Sequence, residues 1–163
     1  MAKLKAGSRL IIVCGLPGSG KTTLARAIES AVEAVRLCPD EWMEALSIDL
    51  YDEESRAKIE ALQWQFAQDL LKLGLAVIIE WGTWGRSERD TLRLRARALG
   101  VGVELRYVTA PLDVLFERLQ HRARENPPIK QDELRRWSEI FQEPTPEEME
   151  LFDKPLVADP MPG

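Results

Sequence analysis

The residues of this 163-residue chain that are best suited to chemistry lie in a glycine-rich segment near its start. Gly15, Gly20, Lys21 and Thr22 form the pattern Gly-x-x-x-x-Gly-Lys-Thr, which is typical of a loop that binds nucleotide phosphates. Its glycines permit a tight turn in which backbone N–H groups face an anion at the start of the following helix. The predicted phosphate-binding residues are Gly15, Leu16, Pro17, Gly18, Ser19, Gly20, Lys21, Thr22 and Thr23.

Three side chains at the end of this loop have predicted contacts with the nucleotide. We expect Lys21 to reach the β- and γ-phosphates, Thr22 to present its hydroxyl to Mg²⁺, and Thr23 to contact a more proximal phosphate. An apolar run at 10–14 precedes the loop and a helical pattern follows it, in the order that the motif requires. ATP and Mg²⁺ are therefore the expected cofactors, and an accidental glycine-rich turn is a poor alternative.

Two carboxylates are predicted at the carboxyl ends of neighbouring strands. Asp40 follows the predicted strand 34–37, where it would accept the proton of a substrate hydroxyl as that oxygen attacks the γ-phosphorus. An N-cap of the next helix is the alternative for Asp40. Glu80 follows the apolar run 75–79, and three interpretations stay open for it. It would hold the hydration shell of Mg²⁺, act as the base in place of Asp40, or form a salt bridge with an arginine.

A basic helix end near residue 120 supplies a candidate clamp for phosphate. Arg118 and Arg122 are four residues apart and share a helical face with His121, so two guanidinium groups would neutralise charge in the transition state. The alternative is a solvated basic helix end that is favourable to the helix dipole. His121, the only histidine, is predicted to be an adjunct of this lid or a surface residue.

Aromatic residues are predicted beside the two carboxylates. Trp42, Trp81 and Trp84 fall in segments expected at the carboxyl edge of the sheet, and they suggest an aromatic-walled pocket for an acceptor. Core packing is the alternative for each of them. Arg86 follows the same loop and is a further substrate-binding candidate, although a solvated helix surface explains Arg86 and Arg89 equally well.

Alternating apolar runs and helical periodicities predict a single α/β domain with a mainly parallel sheet, with ligands at the carboxyl ends of its strands. The core of this domain is expected at 9–158, with tails at 1–8 and 159–163. The predicted strands lie at 10–14, 34–37, 75–79 and 101–108, with a brief last strand at 156–158. The clearest predicted helices follow the glycine-rich loop, run from 53 to 73, begin at Ser87, and begin after Pro111. The apolar face of the helix at 53–73 is predicted to consist of Ile59, Leu62, Phe66, Leu70 and Leu73, and the alternation at 103–107 predicts a partly exposed face for the strand at 101–108.

Composition limits the kinds of partner. The net charge of −5 argues against wrapping of a long nucleic acid, because such binding is built on phosphate neutralisation. The sequence has no apolar run near the ~18 residues of a membrane span and no basic-then-apolar leader, so we expect a cytoplasmic protein with no membrane contact. Cys14 and Cys38 lack metal-ligand spacing and are predicted to be reduced structural thiols.

Taken together, these motifs resemble those of the small P-loop kinases of the AAA-type predicted-kinase family. The resemblance rests on the loop at 15–23, Asp40, Glu80, and Arg118 with Arg122. Relatives of that family include chloramphenicol phosphotransferase, zeta toxins and the kinase domain of polynucleotide kinases. The segment Glu143-Pro-Thr-Pro-Glu-Glu also looks like family members. One departure is Glu80-Trp81-Gly82-Thr83, where many relatives carry Asp-Ala-Thr-Asn.

The resemblance implies a five-stranded sheet of order 2-3-1-4-5, an arginine-bearing lid, and transfer of phosphate from Mg-ATP to a hydroxyl. By the same resemblance Asp40 matches the acid that activates the acceptor, and Arg118 and Arg122 match lid arginines. The leading hypothesis is an ATP-dependent kinase for a hydroxyl of a small molecule. The alternatives are a 5′-hydroxyl kinase for RNA or DNA ends and a non-enzymatic nucleotide-dependent switch or binding module. The sequence assigns no oligomeric state.

Overall fold

The computed structural model describes residues 2–159, in which strands and helices alternate. No helix in that part of the chain is both long and apolar enough to cross a lipid bilayer. The strands are β1 Arg9–Cys14, β2 Ala34–Leu37, β3 Ala76–Ile79 and β4 Gly102–Tyr107. The helices are α1 Lys21–Ala31, α2 Pro39–Ala45, α3 Glu53–Lys72, α4 Arg86–Ala98, α5 Leu112–Arg122, α6 Gln131–Ile140 and α7 Pro146–Met149.

The four strands form one parallel sheet in the order β2-β3-β1-β4. In the register of the central strands, Ile11 of β1 lies opposite Ile78 of β3 and Glu104 of β4. All four residues of β3 are buried, as expected for a parallel strand covered by helices on both faces. The carboxyl ends of β1, β2 and β3 therefore meet at one edge, and the predicted α/β fold is confirmed.

The predicted fifth strand at 156–158 does not form. The segment instead follows the β4 edge and is held by side chains. The Glu104 carboxylate accepts a hydrogen bond from the Leu156 N–H, and Arg106 donates to the Val157 carbonyl oxygen at 2.6 Å. Glu104 and Arg106 are consequently buried, although their alternation in the sequence predicted a partly exposed face. Because these side chains satisfy the backbone of the segment in place of a strand ladder, the described sheet stops at four strands.

Helix α3 is rotated relative to the face that its periodicity predicted. Leu62 and Phe66, expected in the core, are 57% and 44% exposed, whereas Gln63 and Trp64 are buried. The amide oxygen of Gln63 accepts a hydrogen bond from the Trp81 indole at 2.9 Å, so a polar contact with the loop after β3 fixes the rotation. This orientation turns the first turns of α3 toward the carboxyl edge of the sheet.

Candidate active site

The glycine-rich loop follows strand β1 at the carboxyl edge of the sheet. Two of its glycines allow the loop to pack closely against the backbone of neighbouring segments. A Cβ on Gly15 would lie 2.3 Å from the carbonyl oxygen of Val108, at the end of β4. A Cβ on Gly18, whose φ is 80°, would lie 2.8 Å from the carbonyl oxygen of Leu115 in α5. Side chains at these positions would clash with backbone, so the loop lies directly against β4 and α5.

Helix α1 begins at Lys21, whose ammonium group folds back onto the loop. Its Nζ donates to the carbonyl oxygens of Gly15 at 2.8 Å and Leu16 at 3.0 Å. Burial lowers the pKa of Lys21 to about 8, although the carboxylates of Asp40 and Glu80 act in the opposite direction. A phosphate anion in the loop would also favour the charged ammonium, so nucleotide binding and full charge on Lys21 would support one another.

Glu80, at the end of β3, is buried between two partners. Its Oε1 accepts a hydrogen bond from the Thr22 hydroxyl at 2.6 Å, and its Oε2 accepts from Arg36 at 2.9 Å. Arg36 also donates to both carboxylate oxygens of Glu41, at 2.8 Å each. The salt bridge that the sequence left open for Glu80 is thus present. Arg36 lies within strand β2, where a charged residue among apolar neighbours is itself a signal of a buried partner.

The contact between Thr22 and Glu80 also suits Mg²⁺. A hydroxyl and a carboxylate are hard oxygen donors, and Mg²⁺ binds through one or two such protein groups together with substrate phosphates. Within residues 2–159, no cluster of three or more His, Cys, Asp or Glu side chains is arranged to hold a metal ion by itself. The donors present therefore fit a Mg²⁺ ion that is carried by a nucleotide, and they offer no all-protein cage.

Asp40 lies in the first turn of α2, and it is not the N-cap. The N-cap is Cys38, and no side chain caps this helix, so the capping alternative for Asp40 is wrong. The Oδ1 of Asp40 lies 2.6 Å from a guanidinium nitrogen of Arg56 in the first turn of α3. Sequence analysis missed Arg56, because only the packing of α2 against α3 brings it to Asp40. This ion pair places a guanidinium group beside the Asp40 carboxylate.

Arg118 and Arg122 of α5 both line the cleft above the glycine-rich loop. Arg118 donates to the carbonyl oxygens of Gly18 at 3.2 Å and Ser19 at 3.3 Å, so its guanidinium lies on the loop itself. Arg122 forms an ion pair with Glu125. The predicted shared face is thus directed at the phosphate site, while the intervening His121 is exposed.

The segment after α5 is tied to the opposite side of the cleft. Arg124 forms an ion pair with Glu44 of α2, and the Tyr51 hydroxyl donates to the Pro127 carbonyl oxygen at 2.7 Å. Sequence analysis assigned no role to these residues. Their contacts connect the arginine-bearing end of α5 to the region of Asp40, so the segment covers the cleft as a lid.

The cleft that these elements enclose has a volume of about 1010 Å³. One half is formed by the glycine-rich loop, α1 and α5. We call the other half the acceptor half; it is formed by the α2–α3 region and by the segment that runs from Glu80 into α4. Its principal lining residues are Asp40, Arg56, Glu60, Trp81, Trp84 and Glu88.

The aromatic wall of the acceptor half differs from the predicted one. Trp81 and Trp84 line the cleft, and the ring centroid of Trp84 lies 5.9 Å from that of Trp137 in α6. Trp42 packs against the main core cluster and is absent from the lining formed by residues 2–159. The prediction that Trp42 lines the acceptor pocket was wrong, because its position on α2 directs this side chain toward the core cluster. Trp137 takes its place, which only the packing of α6 decides.

Arg86 and Arg89, at the start of α4, have different environments: Arg86 lies on the helix surface, as one of the two interpretations predicted, whereas Arg89 does not. Helix α4 begins at Arg86, one residue before the predicted start. Arg86 is bound by Asp90 at 3.0 Å and lies outside the lining of the described cleft. Arg89 is fully buried: it donates to Glu148 at 2.7 Å and to the Thr83 carbonyl oxygen at 2.9 Å. Arg89 therefore holds the loop that carries Trp84 in place.

Glu60 is the most perturbed carboxyl group in the acceptor half. Burial raises its pKa to about 7, Arg56 opposes this rise, and the nearby charges of Glu88, Glu53 and Asp40 add to it. Sequence analysis assigned no role to Glu60. Asp40, Glu53, Glu60 and Glu88 all line the cleft, so carboxylates from α2, α3 and α4 converge in this part of it.

A model of an AAA domain family (AAA_33) matches residues 10–144 of the chain. The chain belongs to this family. The match includes the glycine-rich loop, both carboxylates of the sheet edge and the arginine pair of α5. It confirms the family resemblance drawn from the sequence motifs.

Comparisons of structure show the same fold. A chain of the Pnkp1/Rnl/Hen1 RNA repair complex matches 90% of this chain with 22% identity and a TM-score of 0.68, and 47% of that chain is covered. A gluconokinase from Sinorhizobium meliloti 1021 matches 87% of this chain and 79% of its own, with 24% identity and a TM-score of 0.61. Chaetomium thermophilum Kti12 in complex with ADP-AlF3 matches 85% of this chain and 82% of its own, with 23% identity and a TM-score of 0.63. No curated protein sequence matches the chain. The chain therefore shares the fold of P-loop kinases and spans about half of the RNA repair protein.

Proposed function

We propose that this protein is an ATP-dependent kinase that transfers the γ-phosphate to a hydroxyl group of a small-molecule acceptor. The observation that carries this proposal is the position of Asp40 in the same cleft as Lys21. Both side chains line the cleft, and the negative charge of Asp40 acts on the Lys21 ammonium. A candidate base for an acceptor hydroxyl is thus combined with a phosphate-binding loop.

In the proposed reaction, the backbone of the loop and Lys21 bind the β- and γ-phosphates, and Arg118 stabilises the negative charge that develops on the transferred group. Asp40, oriented by Arg56, receives the proton of the acceptor hydroxyl. A bond forms between the acceptor oxygen and the γ-phosphorus, and the bond to the oxygen bridging the β- and γ-phosphates breaks, so ADP leaves.

Thr22 and Glu80 are the residues that would hold Mg²⁺. The chemistry this ion supplies when bound is to offset the negative charge of the phosphate oxygens. Glu80 keeps its orientation through Arg36, which holds its second oxygen at 2.9 Å. Both oxygens of the Glu80 carboxylate accept hydrogen bonds, one from Thr22 and one from Arg36, whereas only Oδ1 of Asp40 is paired. Glu80 is therefore less suited than Asp40 to receive a proton from the acceptor.

The test compares Asp40→Asn with Lys21→Ala in an assay with γ-labelled ATP and a panel of hydroxyl compounds. We expect Asp40→Asn to lower transfer by about 100-fold or more while ATP affinity stays within about twofold, because Asp40 acts on the acceptor. We expect Lys21→Ala to weaken ATP binding and transfer together. Asp69→Asn, an exposed residue of α3, is the matched control. Full transfer by Asp40→Asn would show that Asp40 is not the base.

The same assay separates the two alternatives from the sequence. Labelling of a 5′-hydroxyl oligonucleotide in preference to every small compound would identify a polynucleotide kinase. ATP binding with no labelled product from any compound or oligonucleotide would identify a nucleotide-dependent switch. Either outcome would replace the proposed function.

A further inference from the structure

Helix α3 carries apolar residues on two sides, and the core covers only one of them. The outer side bears Leu62, Phe66 and Leu73, which are 57%, 44% and 77% exposed. At 3.6 residues per turn, these three side chains lie within about 40° of one another around the helix axis, so they form one stripe. Phe66 is the only exposed aromatic residue among residues 2–159. A contiguous apolar stripe that the core leaves uncovered indicates an interaction surface.

Charged residues flank this stripe in an order that suits a second copy of the same helix. Glu54 and Lys58 precede its centre, and Asp69 and Lys72 follow it; all four are exposed. Glu54 and Lys58 pair with each other at 2.8 Å, and neither Asp69 nor Lys72 forms an ion pair within the part of the chain that the structure describes. The signs therefore read minus, plus, minus, plus along the helix. The reverse of this order has the opposite sign at every position, so the outer face is complementary in charge to an antiparallel copy of itself.

The positions of these residues fit a two-fold axis near the middle of α3. Lys58 and Asp69 lie within about 20° of each other around the helix, and they are equally far from a point between residues 63 and 64. A two-fold axis across the helix at that point brings Lys58 of one copy opposite Asp69 of the other. The same axis brings Leu62 opposite Phe66, with an axial offset of about 1.5 Å, the rise of one residue. Parallel helices in register would instead place Lys58 beside Lys58, so the antiparallel arrangement is favoured.

We propose that the protein forms a symmetric dimer in which α3 packs antiparallel against α3 of a second copy. Leu62 and Phe66 form the apolar contact, and two symmetry-related pairs of Lys58 with Asp69 set the direction of the helices. The 20 residues of α3 span about 30 Å. A contact limited to two such helices is at or below the low end of specific interfaces, about 1,200 Å² in total. The dimer should therefore be reversible, with a Kd of about 10–100 μM.

This dimer leaves the nucleotide and acceptor cleft uncovered. Arg56 and Glu60, two residues of α3 that line the cleft, lie about 160° from Lys58 around the helix axis. The surface through which two copies would meet is therefore on the opposite side of the helix. The inference is thus independent of the proposed kinase function, and its tests need no nucleotide.

Sedimentation velocity of the wild-type protein from about 5 to about 500 μM tests the dimer. We expect the weight-average mass to rise from that of one chain toward that of two, with a Kd of about 10–100 μM. Phe66→Ala should raise this Kd by about 10-fold or more, because it removes the aromatic contact at both symmetric positions. A single species with the mass of one chain across the whole range would overturn the proposal. An unchanged Kd in Phe66→Ala would also overturn it, because another surface would then form the dimer.

Two charge reversals test the direction of the helices. Lys58→Glu and Asp69→Lys should each raise the Kd by about 10-fold, since each places like charges opposite one another at both symmetric positions. In an equimolar mixture of the two variants, a mixed dimer has opposite charges at both positions again. We expect that mixture to dimerise with a Kd within about threefold of the wild-type value.

The control for the charge reversals is Lys154→Glu, which makes the same change of charge as Lys58→Glu at an exposed lysine outside α3. Its Kd should match that of the wild-type protein. All the substituted residues are exposed, and circular dichroism verifies that each variant is folded. A mixture of Lys58→Glu and Asp69→Lys that associates as weakly as either variant alone would contradict antiparallel pairing of α3.

Discussion

Replacement of Glu60 by glutamine is expected to stabilise the protein above pH 7. Burial raises the pKa of Glu60 from its ordinary value of 4.5 to about 7, and the carboxylates of Glu88, Glu53 and Asp40 contribute to the rise. The native carboxyl group therefore binds its proton more tightly than the unfolded one does. Its contribution to stability is fully present below pH 4.5 and is lost as the pH rises through about 7. Glutamine has no such proton to lose.

The size of this effect follows from the same pKa. The rise from 4.5 to about 7 corresponds to an upper limit of about 3.4 kcal/mol, at about 1.4 kcal/mol for each tenfold change in proton affinity. Glu60 is only partly buried, so solvent screening reduces the expected gain to about 1–2 kcal/mol. For a chain of this length, that gain raises Tm by about 3–6 °C.

Thermal unfolding followed by circular dichroism at about pH 5.5 and about pH 8.5 measures the effect, with Glu54→Gln as the control. Glu60→Gln should exceed the wild type at the higher pH and differ from it much less at the lower pH. The control should match the wild type at both values, because Glu54 is exposed and paired with Lys58. A Glu60→Gln protein with an unchanged or lower Tm at about pH 8.5 would refute a raised pKa for this group.

Two other substitutions have expected outcomes. Arg118→Ala should lower kcat for phosphate transfer by about 100-fold, since the Arg118 guanidinium lies on the loop. It should change the free energy of unfolding by no more than about 0.5 kcal/mol, because the residue is exposed. Initial rates and thermal melts measure the two effects, and Arg135→Ala, at another exposed arginine, is the control. Arg89→Met should cost about 3–5 kcal/mol in urea unfolding, because Glu148 is left buried without its partner. The double variant with Glu148→Leu should recover part of that loss. Strict additivity of the two single losses would show that the pair is not coupled.

The phosphate-binding half of the site could be predicted from sequence. The spacing from Gly15 to Thr22 is a local property, because one loop and the first turn of one helix carry the backbone N–H groups predicted to face the phosphates. The sequence patterns of β2 and β3 likewise predicted that Asp40 and Glu80 would reach the same sheet edge. Parallel strands end together, so their order along the chain was sufficient for that conclusion.

The acceptor half required the tertiary structure. Whether Glu60 and Arg56 face the cleft depends on the rotation of α3, and the contact between Gln63 and Trp81 fixes that rotation at 2.9 Å. Periodicity predicted a buried Leu62 on this helix, and that prediction was wrong. A helix with apolar residues on more than one side has no unique inner face in sequence.

Long-range pairing explains the remaining corrections. The apparent last strand at 156–158 is bound by Glu104 and Arg106 of β4, and the arginine at 89 is buried by Glu148, 59 positions later. Charged residues look the same in sequence whether water or a distant partner satisfies them, because burial is decided only when separate segments pack together. The sequence by itself thus determined the position of the glycine-rich loop, since that loop is formed by the backbone of one short segment. The tertiary structure decided which side chains line the acceptor half of the cleft, since that wall is assembled from α2, α3, α4 and α6.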